Sequence, residues 1–115
     1  MQILMAGATQ WFSVRTIVYR SADRVYEERI TLWRRADADQ AADAALEESA
    51  EYAADVDGED CGLAQVYEPY GDDMGGLRSQ AEGCEIFSLV RQSDLTPSEY
   101  LDRFFDTGAE QQQVI

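Results

Sequence analysis

Asp43, Glu47, Glu51 and Asp55 recur at every fourth position, the interval that stacks side chains along one flank of an α-helix. Such a row holds no nucleophile. Its chemistry is concentrated negative potential, able to steer and dock a basic partner. Two blander readings stand beside that one. The row could be a solvated face that keeps the chain dispersed, or arginines from elsewhere could neutralise it within the monomer or across a homo-oligomer. A second group, Tyr67, Tyr70 and Arg91, borders a stretch from 71 to 83 that is rich in glycine. Two hydroxyls and a cation there could serve a small-molecule or enzymatic site beneath the loop.

The run Asp55-Val56-Asp57-Gly58-Glu59-Asp60 resembles part of a calcium loop, but placing Gly58 at loop position six puts Ala53 and Ala64 at ligand positions one and twelve. Two required oxygens are then missing, so the EF-hand reading fails; acidic loops in water are expected, with a loose divalent site from Asp57, Glu59 and Asp60 or from Asp72 and Asp73 as the alternative. Asp72 and Asp73 would repel phosphate, and without lysine Gly71 to Gly76 is not a P-loop. The chain has no histidine, which removes the usual proton shuttle and commonest metal ligand. No cofactor is expected, and catalysis is not favoured.

Charge narrows the partners further. Nine arginines face 23 acids, for a net −14. Six arginines precede residue 37, whereas Asp37 to Asp60 carries ten acids and no base. Direct nucleic-acid binding needs a basic surplus and is not expected. No apolar run reaches the ~20 residues of a bilayer span. Met1 to Gln10 lacks a basic segment and reads as an extension, so a cytoplasmic protein is expected.

The elements that would position these residues form one α+β domain of 115 residues. Trp11 to Arg20 alternates as a strand, with Phe12, Val14, Thr16 and Val18 on one face. After the polar break 21–24, Val25 to Arg34 alternates again, with Ile30 and Leu32 opposite Glu27, Arg29 and Thr31. The two strands predict an antiparallel hairpin. Asp37 is a helix cap with Gln40 three residues on, and an alanine-rich helix runs to about Ala54, with Ala42, Leu46, Ser49, Ala50 and Ala53 as its inner stripe. Gly62 to Tyr70 reads as a third strand, and Cys84 to Ser93 as a fourth, the most buried, pairing with the third. Cys61 and Cys84 then lie a strand length apart and remain thiols. Thr96, Pro97 and Glu99 start a second helix, Leu95 staples onto Tyr100, and Gly108 ends it before a frayed tail at 109–115. The order β-β-α-β-β-α predicts a four-stranded, mainly antiparallel sheet with both helices on one face. Trp11, Ile17 and Tyr19 would then be left on the open face, a candidate homodimer contact.

The strings WFSVR (11–15), YEERITLWR (26–34) and EIFSLVRQSDLTPSEYLDRFFDTG (85–108) resemble a bacterial family designated domain of unknown function 4288. The similarity spans about Trp11 to Gly108 and implies a small stand-alone bacterial protein. It implies no activity, cofactor or site residue. Together these features predict a non-enzymatic acidic protein-binding or regulatory domain, immunity- or inhibitor-like in size and charge. The alternatives are a small-molecule or enzymatic domain using the 71–83 loop, and a structural homo-oligomer.

Overall fold

The computed structural model describes residues 9–67 and 82–105. Its centre is the expected hairpin. β1 (Gln10–Arg20) and β2 (Val25–Arg35) pair antiparallel along their whole length, from Gln10 opposite Arg35 to Arg20 opposite Val25. Helix α1 (Ala38–Asp55) starts where Asp37 accepts the Gln40 amide at 2.9 Å. The chain then forms two short strands, β3 (Glu59–Asp60) and β4 (Gln65–Tyr67), both antiparallel to β1. β5 (Glu85–Gln92) pairs antiparallel with β2, and α2 (Pro97–Phe104) follows. Strand order is β3-β1-β2-β5, with β4 also on β1. The capping box of α2 is complete: Thr96 Oγ1 accepts the Glu99 amide and Glu99 Oε1 accepts the Thr96 amide. The class, the antiparallel sheet and the two helices agree with the sequence reading.

Their arrangement differs in four respects. The helices lie on opposite faces of the hairpin, not on one. α1 packs against Phe12, Val14 and Trp33 through Ala41 and Ala45, while Tyr100 of α2, with Phe105, packs against Ile17 and Tyr26. In this register Phe12 and Val14 share a face with Trp33 and Thr31, and Ile17 shares the other with Glu28 and Tyr26. Both faces carry bulky apolar groups because both are covered. The inner stripe of α1 is also shifted, to Ala41, Ala45, Ser49 and Ala53.

The two later strands do not form a hairpin. β4 borders β1 and β5 borders β2, so the central hairpin separates them. No disulfide joins Cys61 and Cys84, for a different reason than strand length. The Cys61 amide donates to Ile17 on β1, the Cys84 carbonyl accepts from Leu32 on β2, and the sheet width lies between them. β5 is the least buried long strand rather than the most: Ile86, Phe87, Leu89 and Val90 are all exposed. Gly108 and the 109–115 tail lie outside the described residues, as do residues 1–8 of the expected extension.

The exit from α1 is tight. Asp57 takes the left-handed region with φ of 58°. A Cβ on Gly58 would meet the Tyr19 carbonyl oxygen and Val18 Cγ1, each at 2.9 Å. The Gly58 amide also donates to Ala53 at 2.8 Å, so the backbone has little freedom to retreat. Gly58→Ala is expected to destabilise by about 1–3 kcal/mol, the usual cost of overpacking, read as a lower denaturant midpoint with unchanged slope. An unchanged midpoint would refute this close approach.

Candidate functional site

Two polar clusters, one under each helix, fix the flanks that face solvent. Beneath α1, Arg29 is 4% exposed. Its Nη1 and Nη2 donate to the two Glu48 oxygens at 2.9 and 2.8 Å, and its Nε donates to Glu85 Oε1 at 2.8 Å. The guanidinium lies 3.9 Å from the centre of the Tyr52 ring, and Tyr52 Oη donates to both Glu27 oxygens at 2.8 and 2.9 Å. Burial, then the Glu27 bond, raises the Tyr52 pKa. This cluster ties α1, β2 and β5 together. The face of β2 that carries Glu27, Arg29 and Thr31 is therefore an inner one.

Under α2 the second cluster centres on Glu28. Arg15 Nη2 and Nε donate to its Oε1 at 2.8 and 3.2 Å, and Tyr100 Oη donates to its Oε2 at 2.6 Å. Arg15 also donates to the Phe104 carbonyl at 2.9 Å and lies 3.7 Å from the Phe105 ring centre. Arg91 sits 3.7 Å from Glu28 Oε2 and 4.0 Å from the Phe104 ring centre. Both oxygens of this buried carboxylate thus have partners, and the cluster ties β1, β2 and α2 together.

With Glu48 committed to Arg29, the outer flank of α1 is distinct. Asp43, Glu47, Glu51 and Asp55 are all exposed, and Asp39 continues the row one turn earlier. These positions fall two residues out of phase with the buried Ala41, Ala45, Ser49 and Ala53, so they point away from the sheet. Among the described residues, Arg15, Arg24, Arg29, Arg35 and Arg91 pair with Glu28, Asp94, Glu48, Glu85 and Glu82, and none pairs with this row. Internal neutralisation thus reaches Glu48 and stops there. The last turn of α1 has no basic residue, so Glu51 and Asp55 face the negative end of the helix dipole. That placement costs a few tenths of a kcal/mol per charge.

The second candidate group does not assemble. Tyr67 lies on β4 at one side of the hairpin, Arg91 on β5 at the other, and Tyr70 with most of the 71–83 stretch lies outside the described residues. Tyr67 Oη instead donates to Gln65 at 3.0 Å. Among the described residues, no group of three or more histidine, cysteine or acidic side chains could hold a metal ion, and no helix is long and apolar enough to cross a membrane. The Cys61 thiol is pushed up to about 11 by burial and by Asp60 and Glu59, so it is a poor nucleophile near neutrality. The homodimer face inferred from Trp11, Ile17 and Tyr19 also loses its basis, because α2 covers Ile17. Sequence reasoning missed both buried clusters. The first had one local signal, Glu27 and Arg29 spaced two apart on β2, which reads equally well as a solvated face; the second joins Arg15, Glu28 and Tyr100 from three elements and has no local signal.

In comparison with known proteins, no family model, no curated protein and no solved structure matches this chain.

Proposed function

We propose that the protein is a non-enzymatic acidic binding or regulatory domain that captures a basic protein partner through the outer flank of α1. The observation that carries this reading is the row Asp43, Glu47, Glu51 and Asp55. It is exposed, left unpaired among the described residues by arginines that neutralise carboxylates elsewhere, and extended to the end of the helix where the dipole opposes it. Stability alone would select against that placement. An immunity- or inhibitor-like role, with the row laid against a basic active site, suits these features by analogy of charge. Membership of family 4288 remains a proposal from the shared strings. A cytoplasmic setting accords with two cysteines that form no disulfide.

The test compares wild-type protein with the Asp43→Asn, Glu47→Gln, Glu51→Gln, Asp55→Asn variant as bait in lysate of the source organism. The wild type should retain a basic protein that the variant loses and that elutes as ionic strength rises. The variant should also melt slightly higher, since like-charge repulsion is removed. Equal capture by both baits would overturn the proposal.

A further inference from the structure

The chain holds a single Asp-Gly pair, Asp57-Gly58, and no asparagine. A following glycine leaves the amide nitrogen unshielded by a side chain, so that nitrogen can attack the aspartate Cγ. The N–Cγ bond forms, the Cγ hydroxyl leaves with the amide proton as water, and a succinimide ring closes. Water then reopens the ring at either carbonyl. One opening restores aspartate; the other leaves isoaspartate, in which the backbone runs through Cβ and Cγ. One water is lost and one regained, and no oxidant or cofactor takes part.

Three features of the α1 exit hold this reaction off. The Gly58 amide donates to the Ala53 carbonyl at 2.8 Å and the Asp57 amide to Ala54 at 3.4 Å, the paired bonds of a Schellman turn. Asp57 has φ of 58°. In that left-handed region the next nitrogen is turned away from Cβ across the Cα–C bond, whereas ring closure needs both on one side. Gly58 is wedged as well, since a Cβ there would lie 2.9 Å from both the Tyr19 carbonyl oxygen and Val18 Cγ1. The peptide between Asp57 and Gly58 therefore cannot rotate while the turn is closed. Asp57 itself is exposed, so an opened turn meets water at once.

We infer that Asp57 is the chain's site of spontaneous isomerisation, blocked in the closed exit and free to react when the exit unfastens. Helix ends open locally at a fraction of the global unfolding free energy, so the reaction needs no global unfolding. The product cannot refasten. Its added backbone methylene lies beside the close approach of Gly58 to β1, where there is no slack. The segment that follows is tied in register. Glu59 sits opposite Tyr19 and Asp60 opposite Val18, Ser49 donates to Asp60 at 2.8 Å, and the Cys61 amide donates to Ile17. Isoaspartate thus accumulates as a one-way mark of chains whose exit has opened. The inference needs no partner on the acidic row and is independent of it.

The test is incubation of the full chain at neutral pH, native and unfolded in urea, with isoaspartate located by fragmentation of the tryptic peptide 36–78. In urea it should appear first at Asp57, and in the native chain at the same residue at least about tenfold more slowly. Asp60→Ala removes the bond from β3 to α1 and should raise the native rate several-fold while leaving the urea rate unchanged. The purified isoaspartate form should refold with a lower denaturant midpoint than the parent chain. Equal rates in the native chain and in urea would overturn the inference, as would isomerisation that begins at another aspartate. So would a native rate indifferent to Asp60→Ala, or a product with the parent's midpoint.

Discussion

Replacing Arg29 with methionine should lower stability by about 3–5 kcal/mol, the usual cost of removing one partner from a buried ion pair. For a domain of this size that is a fall of roughly 10–20 °C in melting temperature. The side chain fills a site that is almost closed to water and bonds to two carboxylates on different elements, Glu48 of α1 and Glu85 of β5. Methionine fills similar volume, so packing is largely kept and the loss reports the bonds. Arg29→Lys should recover only part of it, since a single ammonium cannot engage Glu48 through two nitrogens and Glu85 through a third. Adding Glu48→Gln to Arg29→Met should restore some stability by removing one stranded carboxylate. A melting temperature within about 2 °C of wild type for Arg29→Met would show that the cluster is ornamental.

The second large effect is expected at Tyr100. It is fully buried, stacks on Tyr26 with ring centres 3.9 Å apart, and donates to Glu28 at 2.6 Å. Tyr100→Ala opens a cavity and strands the carboxylate, costing about 3–5 kcal/mol, while Tyr100→Phe loses the bond alone, about 1–3 kcal/mol. The same contacts predict a pH dependence. Burial first, then the bond to Glu28, raises the Tyr100 pKa, and burial, then Tyr19, pushes Tyr26 up to about 12. Each holds its proton more tightly folded than unfolded. Their contribution is therefore complete below the ordinary tyrosine value near 10 and is lost as pH rises through the folded values. The melting temperature should begin to fall above about pH 10 and continue past pH 12. A flat profile between pH 9 and 12 would contradict this buried pair of phenols.

Local signals in the sequence located the elements well. The hairpin, the Asp37 and Thr96 caps and the exposed acidic row all follow from period and capping chemistry, which depend on neighbours a few residues apart. What covers each face depends on contacts across the chain. Glu27, Arg29 and Thr31 alternate with Ile30 and Leu32, a pattern that separates two faces without saying what covers either. Tyr52 and Glu48, far along the sequence, make the charged face an interior. β5 was misread: an apolar run reads as a core strand, yet its pairing at the sheet edge leaves it exposed. The α1 stripe was misplaced because alanine occupies so many of its positions that several phases fit equally well. The candidate row on α1 was legible because its pattern is local. The group Tyr67, Tyr70 and Arg91 rested on an expected β4–β5 hairpin and went with it.

The placement of α2 opposite α1 has a consequence during synthesis. The apolar face that α1 covers, Phe12, Val14 and Trp33, is contained in residues 10–67, and a hairpin closes within about 1–10 µs. At about 5–20 residues per second, β5 and α2 emerge some seconds later. Throughout that interval Ile17 and Tyr26 have no lid, and the outer edge of β2 is open. A growing polypeptide paused there would present wet aromatic surface beside an unfilled strand position, the kind of surface a holding chaperone engages.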